Sequence, residues 1–135
     1  MLMDNNGLIT KTSRLDFEAT YNKLKTGIDT NPNLGIILEL DHAKNAASVG
    51  LNLNPTRIIM FGNPNLGTLL MQNSQAVSID LPQKIIVFQD DKAEVKVAYN
   101  DPMYLRDRHN IEHNEKVLDK ISMVLDNLTT AATTD

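Results

Sequence analysis

The chain carries two apolar stripes at helical spacing, one near each end of its 135 residues. In the first stripe, Phe17, Tyr21, Leu24 and Ile28 follow one another at intervals of four, three and four residues. The second stripe is broader and consists of Val117, Leu118, Ile121, Val124, Leu125 and Leu128. Intervals of three and four residues place side chains on one face of a helix, and an apolar face has to be buried against a partner.

Short apolar runs separated by turn signals lie between the two stripes and predict strands. The predicted strands are residues 8–12, 35–40, 56–61, 84–88 and 95–99. The predicted order is therefore strand, helix, four strands, helix, with short helical pieces inside two connections. We expect an α+β fold in which a mostly antiparallel sheet packs two long helices on one face, because this arrangement gives both stripes a common partner.

The ends of the predicted helices carry capping signals. Ser13 is expected to cap the first long helix, with Asp16 three residues later as in a capping box. Asp41 is expected to cap a short helix over about residues 43–49. Asn63 is a good N-cap, and Pro64 suits the first helical position, where its missing N–H costs nothing. Asn114, or Asn110 one turn earlier, is expected to cap the last helix.

The second predicted strand contains five large side chains in a row that alternate between the two faces. Simple alternation places Ile36, Leu38 and Leu40 on one face and Ile37 and Glu39 on the other. A helical segment follows the third predicted strand, and its apolar side is expected to consist of Leu66, Leu69 and Leu70.

Length and composition narrow the class of protein. A chain of 135 residues predicts one domain, with a core over about residues 8–128 and frayed ends at 1–6 and 129–135. Cysteine is absent, which excludes disulfides, thiol nucleophiles and thiolate metal sites and suits a cytoplasmic protein. There is neither a secretory leader pattern nor an apolar run of membrane-spanning length, so no membrane partner is expected.

The charge pattern gives little support for nucleic-acid binding. Thirteen basic residues are scattered among seventeen acidic ones, for a net charge of −4, and three Tyr, three Phe and no Trp offer little material for base stacking. We therefore expect no nucleic-acid partner.

Several short motifs occur in a definite order along the chain. They are Asp41-His42-Ala43, Thr56-Arg57-Ile58, Phe61-Gly62-Asn63-Pro64, Gly67-Thr68, Asp80-Leu81-Pro82, Tyr99-Asn100-Asp101-Pro102 and Arg108-His109. In this order and spacing, from about residue 13 to about residue 125, the chain resembles the bacterial and archaeal family catalogued as domain of unknown function 302.

The resemblance implies a fold of the TBP-like class, with the order strand, helix, four strands, helix, and dimers for some members. It implies no established activity, substrate or cofactor, so the cofactor stays unknown. The motif positions frequent in the family correspond here to His42, Gly62, Asn63, Pro64, Tyr99, Asn100, Asp101, Pro102 and His109.

Three of these residues form a candidate metal or acid–base site. If His42, Asp101 and His109 meet at one edge of the sheet, they offer two imidazoles and a carboxylate for a divalent metal or for proton transfer. The alternative is structural. In that case Asp41 caps a helix, His42 lies in its first turn and His109 bonds a backbone carbonyl.

The junction from Gly62 to Thr68 is a candidate ligand site. A helix N-terminus can bind an anion, although this junction lacks the lysine of a phosphate-binding loop. Asn63 and Tyr99 are also expected to line a ligand cleft together with the histidines, Gly62 and Asp101. The structural alternative is a tight turn, a cap and a strand-ending Asn-Asp-Pro turn.

Three functions remain open from the sequence. The favoured one is a non-catalytic module that binds a small molecule or a partner, and it is expected to be a homodimer that associates through a sheet edge or the apolar shoulders of the helices. The second is an enzyme or metal site built on His42, Asp101 and His109, with Asn63 and Tyr99 as orienting groups. The third is a purely structural dimerisation domain.

Overall fold

The computed structural model describes residues 6–135. Its elements are β1 (Leu8–Thr12), α1 (Phe17–Asp29), β2 (Gly35–Asp41), α2 (His42–Ser48), β3 (Thr56–Gly62), α3 (Pro64–Asn73), a 3-10 helix (Gln75–Asp80), β4 (Gln83–Gln89), β5 (Val95–Asn100), α4 (Pro102–His109) and α5 (Glu115–Thr133). The predicted order of five strands and two long helices is confirmed, as are the two short helices in the connections.

The five strands form one antiparallel sheet in the order β1-β5-β4-β3-β2. The first strand of the chain lies beside the last, with Ile9 opposite Tyr99, and Tyr99 also lies opposite Ile85 of β4. Helices α1 and α5 pack against each other. Helix α1 also contacts β2 and β4, and helix α5 contacts β1 and β5. Both helices therefore cover one face of the sheet, as the sequence predicts.

The core lies between this face and the two helices. Leu24 and Ile28 of α1 and Leu125 of α5 are fully buried, together with Ile59 and Ile85 from the central strands. Complete burial of such side chains stabilises the fold by about 1.5–3 kcal/mol each relative to leaving them exposed. The apolar stripes of the sequence are thus the helical half of one core.

The capping predictions are correct at α2 and α3 and wrong at α1. At α5 the predicted Asn114 lies at the N-cap position, but its side chain makes no cap hydrogen bond. The side chains of Asp41 and Asn63 accept backbone N–H bonds at the starts of α2 and α3. Helix α1 is capped by Asp16, whose carboxylate accepts the N–H of Ala19 at 2.8 Å, and not by Ser13. The Ser13 hydroxyl instead accepts the N–H of Leu15 and bonds the hydroxyl of Thr20 in α1, so the acidic residue of the predicted capping box is itself the cap.

Strand β2 contains a bulge that corrects the predicted face assignment. The register shifts between Ile36 and Leu38, so Ile37 is an extra residue on this strand. As a result Ile36 faces the helices with the core, whereas Leu38 and Leu40 face the opposite side. Glu39 faces the helices. Simple alternation fails here because it assumes an unbroken ladder.

The C-terminal end is ordered helix, so the predicted fraying of residues 129–135 is wrong for most of that segment. Helix α5 continues to Thr133, Ala132 is fully buried, and the carbonyl of Thr133 accepts the N–H of Arg14 at 2.9 Å. Fraying is also predicted for residues 1–6, of which residues 1–5 lie outside the described part of the chain.

Helix α4 is missing from the sequence prediction. Asp101 caps it, Pro102 begins it, and Asn110 ends it in a left-handed conformation with φ of 53°. These are ordinary start and stop signals. Leu105 is the large apolar side chain that helix α4 buries, and the helix has no apolar stripe. The spacing of apolar residues in the sequence therefore does not indicate a helix here.

A polar contact ties α1 to β2 next to the bulge. The hydroxyl of Tyr21 donates to a carboxylate oxygen of Glu39 at 2.6 Å, and the ammonium of Lys25 lies 3.0 Å from the other oxygen. The Tyr21 hydroxyl is the main reason why the pKa of Glu39 lies below its ordinary value of 4.5. Burial, together with the carboxylate, raises the pKa of Tyr21, so the hydroxyl stays protonated and donates.

We expect Tyr21→Phe to lower the free energy of unfolding at pH 7 by about 1.5 kcal/mol, because a buried ring loses a hydrogen bond to a charged group. A carboxylate whose pKa is lower in the folded protein than in the unfolded chain stabilises the fold at pH values above its ordinary pKa. This stabilisation is lost as the pH falls through the pKa of the folded state. The difference from wild type should therefore shrink below about pH 4.5. Urea unfolding between pH 7 and pH 3 measures this difference.

Tyr104→Phe is the matched control, because among the described residues the Tyr104 hydroxyl makes no hydrogen bond. A Tyr21→Phe deficit that stays constant down to pH 3 would contradict the assignment of this bond to ionised Glu39.

Candidate functional site

A cleft of about 700 Å³ opens at the end of the sheet where β2 begins and β3 ends. Its walls come from the turn before β2, the bulge, the start of α3, the segment before β4 and one face of α5. The apolar side chains that line it are Pro32, Leu34, Ile36, Ile37, Phe61, Pro64, Leu66, Met71, Leu81, Pro82, Ile121 and Val124. The cleft is therefore lined mainly by apolar groups that border the core.

Two local features keep this cleft open. The bulge turns Ile37 outward, so that its side chain lies at the cleft 61% exposed. Three glycines, Gly35, Gly62 and Gly67, also line the cleft and place no side chain in it. A Cβ at Gly67 would lie 3.8 Å from a methyl carbon of Leu81, which is ordinary contact, so a longer side chain there would extend into the space.

A few polar side chains line the same space, namely Asn31, Asn33, Asn63, Thr68, Ser78, Gln83 and Lys120. Within residues 6–135, the side-chain nitrogens of Asn31, Asn33, Asn63, Gln83 and Lys120 and the hydroxyls of Thr68 and Ser78 have no hydrogen-bond or ion-pair partner. Each of these groups can donate a hydrogen bond. An apolar cleft with a small number of free donors is typical of a site for a small molecule that carries a hydrogen-bond acceptor.

The start of α3 offers the cleft no free backbone donor. Pro64 has no N–H, and the N–H of Asn65 donates to the Asn63 side chain at 3.0 Å. The N–H groups of Leu66 and Gly67 donate to the Asn63 carbonyl at 2.9 and 3.0 Å. The anion site predicted at this junction therefore lacks the free donors that it would need, and the capped-helix alternative describes the local structure.

His42 and His109, which would have to meet in the candidate metal or acid–base site, lie at opposite ends of the sheet. Gly35 pairs with Gly62 at the end that holds the cleft, whereas Asp41 pairs with Arg57 at the other end, directly before His42. A seven-residue strand spans about 20 Å, which is far beyond the reach of shared metal ligands. The described residues contain no group of three His, Asp or Glu side chains placed to hold a metal.

The other predicted site residues have structural partners. Asp101 accepts the N–H of Met103 at 2.9 Å as the cap of α4. Tyr99 is 3% exposed within the core, and burial raises its pKa. Neither residue lines the cleft. The predicted ligand set consists of His42, Gly62, Asn63, Tyr99, Asp101 and His109. Of these six residues, Gly62 and Asn63 line the cleft and the other four do not.

His109 forms a buried pair with Asp80, a residue that the predicted site omits. The imidazole Nε2 lies 2.5 Å from a carboxylate oxygen of Asp80, and both side chains are largely buried. Arg108 bonds both oxygens of the same carboxylate. Because Leu81 and Pro82 come directly after Asp80 and line the cleft, this pair fixes one wall of the cleft to the end of α4.

A smaller cleft of about 340 Å³ lies near His42 and contains Arg57. The Arg57 guanidinium bonds Glu18 at 2.6 Å and Asp41 at 3.3 Å, and it lies 5.0 Å from the ring centres of Phe17 and Tyr21. Its charge is therefore already balanced within the fold. Within the Thr-Arg-Ile motif, Arg57 therefore connects β3 to α1.

We expect Asp80→Ala to lower the free energy of unfolding by about 1.5–3 kcal/mol, because it leaves the buried imidazole of His109 without its partner. The matched control is Asp107→Ala, which removes an exposed ion pair with Arg106 and should change stability by less than about 1 kcal/mol. Thermal and urea unfolding measure both effects. Equal effects of the two variants would contradict the role given to Asp80.

The chain is similar to three curated proteins of Brucella. It is 33% identical over 107 residues to "Fluoride-specific ion channel FluC 1" of Brucella suis biovar 1, a match that covers 79% of this chain and 42% of that protein. The match to "Fluoride-specific ion channel FluC 2" of Brucella melitensis has the same identity and covers 39% of that protein. The chain thus spans about two-fifths of the length of these relatives. In the described part of the chain, no helix has the length and apolar character needed to cross a membrane.

A solved structure shares the fold. The crystal structure of an uncharacterised conserved DUF302 protein from Bacillus stearothermophilus superposes with a TM-score of 0.81, at 17% sequence identity, and covers 93% of this chain and 98% of that one. The family described as "Domain of unknown function DUF302" matches residues 9–128. With nearly the whole chain matched, and with the motif order and the fold in agreement, the chain belongs to the DUF302 family.

Proposed function

We propose that this domain is a non-catalytic module that binds a small, mostly apolar molecule in the cleft between β2, β3, α3 and α5. The observation that carries the proposal is the cleft itself. Its volume of about 700 Å³ lies within the range of roughly 300–1,000 Å³ that is usual for small-molecule sites. Its lining is apolar with a few free donors, which is the usual composition of such sites.

The free donors indicate the chemistry of the ligand. Asn63, Gln83 and Lys120 offer two amide groups and one ammonium to the cleft. A ligand that pairs with these donors has an acceptor, such as a carbonyl or carboxylate, on one side of an apolar body. The proposed ligand is therefore an apolar molecule with one acceptor group.

The competing functions have less support. An enzyme site built on His42, Asp101 and His109 needs side chains that the fold keeps apart or that already have partners. A purely structural role gives no reason for a cleft whose lining includes three glycines and several free donors. The binding function uses these features directly.

The curated relatives are more than twice as long as the segment that matches this chain, so their names describe longer proteins. Channel activity is not part of the function proposed for this chain, because the match covers about two-fifths of those proteins. We propose in addition a cytoplasmic location, on the cysteine-free composition, and self-association as a homodimer.

Gly67 provides the sharpest test of the cleft. We expect Gly67→Leu to weaken binding of the fluorescent apolar anion 8-anilinonaphthalene-1-sulfonate at least tenfold, because the side chain beyond Cβ occupies the cleft. Gly67→Ala is the matched control and should bind the dye as wild type does. Both variants should keep or raise stability, since replacing a helical glycine favours the helix by up to about 1 kcal/mol.

A fluorescence titration at constant ionic strength measures the affinity, and thermal unfolding confirms the fold of each variant. Equal dye affinity for Gly67→Leu and Gly67→Ala, with both variants folded, would contradict a binding site in the cleft.

A further inference from the structure

Lys120 is the only charged side chain that lines the cleft among the residues that the structure describes. The whole chain carries seventeen acidic and thirteen basic residues, yet within residues 6–135 no Asp or Glu lines this space. The other lining residues are apolar, amide, hydroxyl or glycine residues. The cleft therefore holds a positive charge in a protein whose net charge is −4.

The ammonium of Lys120 is not balanced by the fold. It has no hydrogen-bond or ion-pair partner in residues 6–135, whereas Arg57 in the smaller cleft bonds both Glu18 and Asp41. Lys120 is exposed on α5, and its neighbour Ile121, which also lines the cleft, is buried. A lysine side chain lays its carbon stem along apolar surface and keeps its ammonium at water. Lys120 thus places a free cation at the mouth of an apolar cleft.

The acidic residues next to lining residues in the sequence do not neutralise this cation. Asp80 directly precedes Leu81, but its carboxylate bonds Arg108 at 2.9 Å and pairs with His109, so it is held at α4. Asp119 directly precedes Lys120, but successive residues of a helix do not face each other, and the two form no ion pair. The positive charge is therefore available to a ligand.

The surroundings of Lys120 favour a carboxylate over a phosphate. Phosphate groups are usually held by several backbone N–H groups or by arginine. The N–H groups at the start of α3 already have partners, and within residues 6–135 no arginine lines the cleft. A carboxylate carries a single charge, which one ammonium balances, and it can accept further hydrogen bonds from the free amide nitrogens of Asn63 and Gln83.

We propose that the cleft binds an apolar monocarboxylate, such as a medium-chain alkanoate, with its carboxylate at Lys120 and its carbon chain towards Phe61. Phe61 lines the cleft and is 1% exposed, so the apolar end of the ligand packs beside the core. The inference rests on the function proposed above and deepens it, because it specifies the charge and the place of the head group. It differs from the anion site expected at the start of α3, since the cation here is a side chain of α5.

Octanoate and 1-octanol are matched probes, because they share one chain length and differ in the charge of the head group. Lys120→Met keeps a long side chain in place and removes the ammonium. We expect Lys120→Met to weaken octanoate binding about fivefold, the upper end for an exposed ion pair, and to change 1-octanol binding by less than about twofold.

Lys92→Met is the matched control. Lys92 is exposed in the connection between β4 and β5, at the end of the sheet away from the cleft, and its loss changes the net charge equally. This variant should bind both probes as wild type does. Gly67→Leu, which fills the cleft, should abolish the binding of both.

Isothermal titration calorimetry at constant low ionic strength measures the affinities, since salt screens an exposed pair, and circular dichroism confirms that each variant is folded. Equal octanoate affinity of wild type and Lys120→Met would overturn the inference. Equal weakening by Lys120→Met and Lys92→Met would also overturn it, because the charge would then act without a local contact. In both cases the ligand cleft stands if 1-octanol binds to wild type and not to Gly67→Leu. If neither probe binds to wild type, the ligand cleft and this inference fail together.

Discussion

The packing of α1 and α5 together on one face of the sheet is the contact on which the rest of the structure depends. Leu24 and Ile28 of one helix and Leu125 of the other are fully buried on that face. Because the two helices share this face, the second face is left to short connections and solvent. At one end of the sheet the cleft opens between β2, β3, α3 and α5.

The family motifs serve mainly to build this framework. Asn63 and Asp101 cap helices, Arg57 clamps α1 against β3, and Asp80 and His109 fix the segment that forms one wall of the cleft. Capping and pairing of this kind engage the carboxylates, the Arg57 guanidinium, the His109 imidazole and the Asn63 Oδ1, and leave the Asn63 amide nitrogen free. The chemistry left for a ligand lies in the unpaired donors and in the apolar lining, which is why a binding role fits the site better than catalysis.

The sequence was sufficient for the features that depend on neighbours along the chain. The two apolar stripes, the strands and the caps at Asp41 and Asn63 follow from local spacing and residue type. Contacts between distant segments were not predictable in this way. Asp80 and His109 are 29 residues apart, and the bulge at Ile37 is visible only in the pairing of β2 with β3. The last turns of α5 escaped prediction because they are buried through Ala and Thr side chains, which make no apolar stripe.

The glycine amide signals of a ¹⁵N-labelled sample test most directly whether the cleft is a preformed ligand site. Gly35, Gly62 and Gly67 line the cleft, whereas the other three glycines lie elsewhere. On addition of 8-anilinonaphthalene-1-sulfonate, we expect concentration-dependent shifts at these three amides and none at Gly7, Gly27 and Gly50. Shifts spread over all six glycines, or unchanged signals at the three in the cleft, would contradict a preformed ligand site there.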